Sequence, residues 1–384
     1  MSKQNQLAEI DHSGKPYIIY KSKKGFNLYT NFSKKIILDN KNIERFLGKK
    51  HKIKKKNTDL LIGFFGYELL NNLINIKIPK QKNVNFPKGI FYKPEKIINL
   101  SNNLKYKNTK SFNKNDFKIN INKNSYTKIF NKFKKKIKSG ETYQIKICTK
   151  YKTKSKINPL DFFSRLSKTN LAPEAFMIKD KNYSIISCSP ENLITKKGSE
   201  ISTKPIAGTV KKTKSLNKIK ALNYFRKNIK ETKEHNMIVD MERNDLSKIC
   251  KVGSVKLSKE KTVEEYKDLF HYVSLIRGKI KKGIKNIDII KAMMPGGSVI
   301  GCPKINTLNL LNKQEKENRN IYTGSFGYIK FNGDMRFNII IRSILNFKDF
   351  SEISVASGVV VDSNSHHEFN ENFIKAKALI DLFK

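Results

Sequence analysis

Three stretches in the last third of the chain decide the fold: PGGSVIGCPK (295–304), YTGSFGYIKFNGDMRFNIIIRSI (322–344) and SGVVVDSNSHHEFNENFIKAKAL (357–379). The first places glycines before a predicted helix N-terminus, where free backbone N–H groups favour an anion. The second is a strand pattern that finishes in an arginine. The third is a strand with a glycine, followed by a helix with two glutamates. Together these features are typical of a site for a small carboxylated metabolite and a metal ion.

Around these stretches, strand and helix patterns follow one another irregularly. Strands are predicted at 141–151, 183–190, 200–208, 324–330, 338–345 and 353–361. Helices are predicted over 125–140, 222–239 and 287–294, from Pro303, and from about His367 onward. The segment NNLKYKNTKSFNKN (102–115) is the best candidate for a long loop. Because regular βαβ alternation is absent from the pattern, it predicts an α+β fold.

The net charge of +45 raises the question of nucleic-acid binding. Only eight of the 78 basic residues are arginine, the side chain that makes bidentate and stacked contacts with nucleic acids. Abundant Lys, Asn, Ile and Phe without any Trp is the amino-acid bias of an A+T-rich genome. The charge therefore indicates a solvated surface. We expect no specific nucleic-acid partner, only salt-sensitive attraction to polyanions.

Cysteine spacing and apolar runs bear on where the protein works. The four cysteines are far apart and form no CxxC pair, which disfavours a zinc site and a disulfide framework. The segment MSKQNQLAEIDHSG (1–14) lacks the apolar stretch of a secretory signal. No apolar run approaches the length that spans a bilayer. We expect a cytoplasmic protein that does not bind membranes.

Two pairs of glutamates stand three residues apart in helical stretches, Glu231 with Glu234 and Glu368 with Glu371. Residues three apart share a helix face. If the two faces meet, their carboxylates supply the oxygen ligands that Mg²⁺ prefers. The alternative is that each pair belongs to an exposed amphipathic helix and forms ion pairs with lysines such as Lys375.

Taken in order, the motifs of this chain resemble those of the chorismate-utilising family. That family includes anthranilate synthase component I, aminodeoxychorismate (para-aminobenzoate) synthase component I and isochorismate synthases. The matching motifs are the three stretches quoted first and TYQ (142–144), SPENL (189–193), PIAGT (205–209) and LFHYVS (269–274), with GFFGYELL (63–70) as a weaker N-terminal match. The resemblance implies one large α+β domain with two facing β-sheets flanked by helices. It also implies a chorismate-binding catalytic region over 121–384 and a degenerate N-terminal part of the fold over 1–120.

The same resemblance implies a role for each residue of the predicted site. The catalytic candidates are Glu191 as general acid, His271 near the enolpyruvyl group, and Gln144. The substrate-binding candidates are Thr209, Ser298, Tyr322, Arg342, Gly358 and Lys375. For Mg²⁺, Glu234 and Glu371 are expected to bind directly, and Glu231 and Glu368 through water. Arg342 needs an anionic partner if buried. We expect a substrate carboxylate there, with Asp334 or Glu368 as the internal alternatives.

Two positions bear on the product. Isochorismate synthases have a lysine base where this chain has Gln144, so the resemblance favours the branch in which ammonia attacks chorismate. The motifs PGGS and TYQ favour aminodeoxychorismate synthase, which makes 4-amino-4-deoxychorismate for para-aminobenzoate and folate synthesis. Ala207 is the usual anthranilate synthase residue, so anthranilate with pyruvate is the alternative product. Ammonia is expected from a class I glutamine amidotransferase subunit. The remaining alternatives are a basic nucleic-acid-binding protein and an inactive relative.

Overall fold

The computed structural model describes residues 3–383 except 77, 79–85, 103, 105–116, 171, 214, 267 and 268. The loop predicted over 102–115 lies almost entirely outside the described residues. Elsewhere strands and helices are mixed along the chain without βαβ alternation, so the predicted α+β class is confirmed. No helix in the described part of the chain is long and apolar enough to cross a membrane.

The strand pairings of the described residues are all antiparallel. The strands are β1 (Tyr17–Ser22), β2 (Gly25–Leu38), β3 (Leu60–Phe65), β4 (Gly89–Leu100), β5 (Lys118–Ile119), β6 (Gln144–Thr153), β7 (Glu174–Lys179), β8 (Tyr183–Ser189), β9 (Asn192–Lys197), β10 (Glu200–Lys204), β11 (Ile206–Lys211), β12 (Lys256–Glu265), β13 (Leu269–Lys279), β14 (Gly301–Cys302), β15 (Ser325–Lys330), β16 (Met335–Ile339), β17 (Ser343–Phe347) and β18 (Ser351–Val359).

Hydrogen bonds join these strands into one continuous sheet. From neighbour to neighbour it passes through β13, β10, β9, β16, β15, β3, β4, β2, β1, β7, β8, β17, β18 and β6, with β11 and β12 against β13 and with β5 and β14 against β6. In hydrogen-bonding terms, the two sheets expected from the resemblance are therefore continuous. Strands β1 and β3 pair with β7 and β15, so the N-terminal strands belong to the same sheet as the rest of the chain.

The helices cover the sheet and set the position of the glutamate pairs. They are α1 (Lys3–His12), α2 (Ile43–Gly48), α3 (Tyr67–Leu73), α4 (Lys123–Lys138), α5 (Pro159–Thr169), α6 (Lys218–Lys227), α7 (Ile229–Ile249), α8 (Asn286–Met293), α9 (Lys304–Gln314) and α10 (Ser365–Ile380). Asn228 caps α7 because its Oδ1 accepts a hydrogen bond from the Glu231 N–H at 3.2 Å. Asn364 caps α10 in the same way through the N–H of His366 at 2.9 Å. Each pair therefore begins in the first turn of its helix.

Three predicted helices differ from the structure. The helix predicted from Ser125 begins earlier, because the Asn122 side chain accepts the Ser125 N–H at 2.9 Å and caps α4. Pro303 is the residue before α9 rather than its first helical residue. The helix predicted over 222–239 is two helices, because Asn228 ends α6 and caps α7.

Two further details of the C-terminal prediction were wrong. The strand predicted over 338–345 is interrupted, since β16 ends at Ile339 and β17 begins at Ser343. Arg342 lies in this interruption with a φ of 49°, a left-handed conformation that breaks strand geometry. The apolar pattern of this helix predicts that Phe373 faces inward from α10, but 49% of its surface is exposed.

Candidate active site

Carboxylates of α7 and α10 act on one ammonium group, that of Lys146 on β6. The Lys146 Nζ lies 3.1 Å from Glu234 Oε1. Burial lowers the pKa of Lys146, but the Glu234 carboxylate, with Glu371 and Glu368, raises it, so that the net pKa is above its ordinary value. Lys146 in turn lowers the pKa of Glu234 to about 2. The two helices thus bring their glutamates to one place.

The other predicted metal ligands have partners of their own. Glu371 forms an ion pair with Lys375 at 2.6 Å, the contact that the amphipathic-helix alternative predicts. Glu368 is buried and accepts a hydrogen bond from the Ser363 hydroxyl at 2.9 Å. The Glu231 carboxylate lies against Gly208, where a Cβ atom would approach Glu231 Oε2 to 2.8 Å. Glu231 is therefore next to the PIAGT segment of β11.

The side-chain oxygens near Lys146 are of the chemical type that binds a metal cation. Within the described ranges, no three His, Cys, Asp or Glu side chains form a group that could hold a metal ion. Three glutamates nevertheless act electrostatically on the Lys146 ammonium. Gln144 is buried, and its Oε1 has no hydrogen-bond partner among the described residues. Carboxylate and amide oxygens are the ligand types that a hard divalent ion such as Mg²⁺ prefers, and the Lys146 ammonium occupies part of this site.

Gly358 lies directly opposite Lys146 in the pairing of β18 with β6. A Cβ atom at Gly358 would lie 2.6 Å from Lys146 Nζ and 3.0 Å from Gln144 Nε2. Gln144 Nε2 also donates to Glu234 Oε1 at 2.9 Å. A side chain at position 358 would therefore collide with the two β6 side chains that hold Glu234.

Glu191 is a buried acid next to this cluster. Burial raises the pKa of Glu191 to about 7, and the Ser298 hydroxyl, Lys146 and Arg342 oppose that rise. Ser298 Oγ donates to Glu191 Oε1 at 2.7 Å. The predicted substrate-binding residue Ser298 is thus a direct partner of the predicted general acid. Near neutral pH, Glu191 is able both to hold and to release a proton.

Arg342 is the cation of the site that lacks an acidic partner. Its guanidinium forms no ion pair or hydrogen bond with any side chain in the described part of the chain. Burial lowers its pKa, and the Cys188 and Glu191 side chains oppose that effect. Asp334, one expected internal partner, instead accepts the Gly198 N–H at 2.8 Å. A partly buried guanidinium without an acidic partner favours an external anion.

His271 and Thr209 face each other across the pairing of β13 with β11. The His271 Nδ1 lies 2.8 Å from Thr209 Oγ1. Burial, and after it the Arg342 guanidinium, lowers the pKa of His271 to about 4. His271 is therefore neutral near pH 7 and belongs to the same electrostatic neighbourhood as Arg342 and Glu191.

The last two predicted residues meet at Ala356, two positions before Gly358 on β18. Lys375 Nζ donates to the Ala356 carbonyl at 2.9 Å. Tyr322 packs against Ala356 and Cys148. Gln144 and Gly358 therefore lie on the paired strands β6 and β18 with Tyr322 and Lys375 beside Ala356, whereas Thr209 and His271 lie on β11 and β13.

Comparison with known proteins identifies the family of this chain. The family described as chorismate binding enzyme matches residues 11–381. The chain belongs to that family. It is 38% identical over 224 residues to aminodeoxychorismate synthase component 1 of Bacillus subtilis (strain 168), a match that covers 58% of this chain and 48% of that protein. It is 35% identical over 226 residues to anthranilate synthase component 1 1 of Haloarcula marismortui, covering 59% of this chain and 46% of that protein. The chain spans about half the length of these curated relatives.

The fold of this chorismate-binding family member matches a solved structure over nearly its whole length. The crystal structure of anthranilate synthase component I from Streptococcus pneumoniae TIGR4 superposes with a TM-score of 0.76 at 25% identity, covering 95% of this chain and 90% of that chain. The predicted fold class and the resemblance to this family are therefore confirmed.

Lys146 is the residue of the site that sequence analysis missed. The signal was present, because the period-two alternation of β6 places Lys146 on the same face as Gln144. Lysine is usually a surface residue, so one inward-facing lysine does not stand out in the sequence among 78 basic residues. His235, beside Glu234, is a second missed residue. It is fully buried, and its Nε2 lies 2.7 Å from Ser274 Oγ.

The two buried histidines predict a loss of stability in acid. Burial lowers the pKa of His235 and of His271 to about 4. Between pH 6.5 and pH 4 the unfolded chain gains protons that the folded chain does not, so stability falls as pH falls through that window. Each histidine contributes a loss of about 3 kcal/mol when the window is crossed. Urea unfolding at pH 7.5 and pH 5 measures the part of this loss that is reached by pH 5, about 2 kcal/mol per histidine.

The contribution of His235 is isolated by comparing variants. His235→Gln is expected to lose less stability between the two pH values than the wild type, because glutamine takes up no proton. His366→Gln, which changes an exposed histidine on α10, is the matched control and should behave as the wild type. Equal acid losses in His235→Gln and wild type would contradict the assignment.

Proposed function

We propose that this protein aminates chorismate with ammonia and displaces the 4-hydroxyl group, giving 4-amino-4-deoxychorismate for para-aminobenzoate and folate synthesis. The observation that carries the proposal is the guanidinium of Arg342, which has no ion-pair partner among the described side chains and lies in electrostatic contact with the buried acid Glu191. A carboxylated substrate supplies the missing anion, and its hydroxyl supplies a proton acceptor for Glu191. Similarity to aminodeoxychorismate synthase component 1 supports the choice of product.

In this proposal Glu191 moves the protons. Ammonia forms the new C–N bond at C4 as the C4–O bond breaks, and Glu191 protonates the departing hydroxyl, which leaves as water. The proton lost by the new amine returns to the Glu191 carboxylate, so atoms and charge balance. Arg342 binds a substrate carboxylate, and Thr209, Tyr322, Gly358 and Lys375 form the rest of the binding surface. Neutral His271 offers a hydrogen bond near the enolpyruvyl group.

Enzymes of this family are generally Mg²⁺-dependent. In this chain Glu234 and Glu371 would hold the ion, with Glu231 and Glu368 acting through water. The ion would neutralise a substrate carboxylate and fix its orientation.

Attack by ammonia rather than water is supported by the chemistry of β6. Gln144 is not a base, and its Nε2 is already bonded to Glu234. Lys146 does not replace the missing base, because the surrounding carboxylates raise its pKa and keep it protonated. A pre-formed nucleophile such as ammonia needs no such base.

Ammonia would come from a class I glutamine amidotransferase subunit, as the designation component 1 of the relatives suggests. Residues 121–384 would form the catalytic region, since they hold every proposed site residue. Residues 1–120 would supply scaffold strands.

Anthranilate synthesis is the second candidate. Ala207 in PIAGT and the similarity to anthranilate synthases favour it. Both reactions lose the 4-hydroxyl, so Glu191 has the same role in each.

Incubation of the purified protein with chorismate, Mg²⁺ and ammonium at alkaline pH tests the proposal. We expect chorismate to be consumed and para-aminobenzoate to form only when a lyase is added. Fluorescent anthranilate without an added lyase would support the second candidate. A folded protein that consumes no chorismate would overturn both.

A further inference from the structure

The unexpected feature of the site is a lysine at the position where a divalent ion is expected. Lys146 is mostly buried, with 13% of its side chain exposed; its ammonium lies 3.1 Å from Glu234 of α7, and Glu371 and Glu368 of α10 act on it electrostatically. The proposed function assigns this lysine no part in the reaction. Its location nevertheless decides how those carboxylates meet a metal ion.

Glu234 Oε1 is already engaged by two donors. Lys146 Nζ is 3.1 Å away, and Gln144 Nε2 is 2.9 Å away. A carboxylate oxygen has two in-plane lone pairs, so two donors occupy its strongest positions. A metal ion that takes this oxygen has to displace at least one of them.

Strand β18 limits the space around the ammonium. Gly358 is opposite Lys146, and only the absence of a side chain there leaves room for Nζ. The buried Gln144 Oε1, without a hydrogen-bond partner among the described residues, is a further oxygen at the same place. The site therefore offers oxygen ligands to a cation, and the Lys146 ammonium is already bound to one of them.

We propose that Lys146 competes with divalent metal for this site: its ammonium neutralises Glu234 in the metal-free protein, and a metal ion that binds Glu234 Oε1 has to displace it from that oxygen. This inference deepens the proposed function by stating how its metal site is regulated, and it rests on that site. Lys146 thereby lowers the affinity for divalent ions and keeps the carboxylates from repelling one another when no ion is bound.

Mn²⁺ binding to the full chain without substrate, followed by electron paramagnetic resonance, tests the inference. Lys146→Asn is expected to bind Mn²⁺ about tenfold or more tightly than the wild type, because a charge-assisted hydrogen bond no longer has to be broken. Lys146→Arg keeps the charge and should bind as weakly as the wild type. Lys152→Asn is the matched control, since Lys152 is on the same strand and pairs with Glu317 at 2.6 Å. It should leave Mn²⁺ affinity unchanged.

Thermal unfolding provides an independent readout. Without metal, Lys146→Asn should unfold at a lower temperature than Lys152→Asn, and saturating Mn²⁺ should restore more of its stability than that of the control. If Lys146→Asn does not fold, Lys146→Gln replaces it in both measurements. Equal Mn²⁺ affinity in the wild type and the Lys146 variant, or no Mn²⁺ binding to either, would overturn the inference. Because substrate is absent, failure of the chorismate assay leaves these outcomes unchanged.

Discussion

Replacement of Glu191 by glutamine is expected to lower kcat for chorismate consumption about 10²- to 10⁴-fold, the usual effect of removing a general acid. Glutamine preserves the size of the side chain and its contact with Ser298 but cannot deliver a proton. Because the amide is nearly isosteric, KM should change little. Steady-state kinetics with ammonia held constant as the free base measure the effect.

The pH dependence of the rate distinguishes a role of Glu191 in proton transfer from a role in packing alone. The pKa of Glu191 is raised to about 7, so the wild-type rate should fall as pH rises through 7 and the acid loses its proton. Ser298 lowers the pKa of Glu191, so Ser298→Ala should move this decline to higher pH. The residual activity of Glu191→Gln should lack the decline. A Glu191→Gln enzyme with wild-type kcat would contradict the assignment.

Glu191→Gln is expected to lower activity but to raise stability at high pH. The folded pKa of Glu191 is above its ordinary value, so the folded chain keeps a proton between pH 4.5 and 7 that the unfolded chain releases, and wild-type stability falls as pH rises through that window. At pH 8 Glu191→Gln should therefore be more stable than the wild type, by about 3 kcal/mol. Glu200→Gln, an exposed change on β10, serves as the control. Urea unfolding at pH 5 and pH 8 measures the difference.

Replacement of Arg342 is expected to raise KM for chorismate about 100-fold, because a guanidinium–carboxylate contact is lost in a partly desolvated site. Arg342→Asn is the most informative variant, since asparagine tolerates the left-handed backbone at this position. Arg342→Lys should recover only part of the affinity, because an ammonium cannot form the bidentate contact. Initial rates over a range of chorismate concentrations measure KM.

Arg336 gives a matched contrast to Arg342. It is held by an ion pair with Glu174, a fully buried carboxylate, and by Thr195 at 2.9 Å. Arg336→Gln should destabilise the protein by about 3 kcal/mol because it leaves Glu174 unpaired, while KM stays unchanged. Arg342→Asn should lose less stability, since no acidic side chain in the described residues forms an ion pair with it. A reversed pattern, with KM raised by Arg336→Gln alone, would show that Arg342 does not bind the substrate.

Much of this site was predictable because its residues stand in short motifs with a fixed local geometry. The glutamate pairs share helix faces because α7 and α10 are helices, and asparagine caps set where those helices begin. The pairing of Thr209 with His271 follows from adjacent strands, and the strand alternation of β6 places Gln144 and Lys146 on one face. The errors in helix boundaries also have local causes. Asn122 caps α4 before the predicted start at Ser125, and Asn228 divides one predicted helix into two.

The sequence by itself determined the family, the mixed helix and strand content and the residue types of the site. These features depend on short motifs, which are local in the sequence. Only the tertiary structure decided which charges meet. It placed Lys146 among the glutamates, left Arg342 without an acidic partner in the described chain, and paired Ser298 with Glu191. The physical reason is that pKa values and ion pairs depend on burial and on atoms from strands and helices far apart in the chain, which no local pattern records.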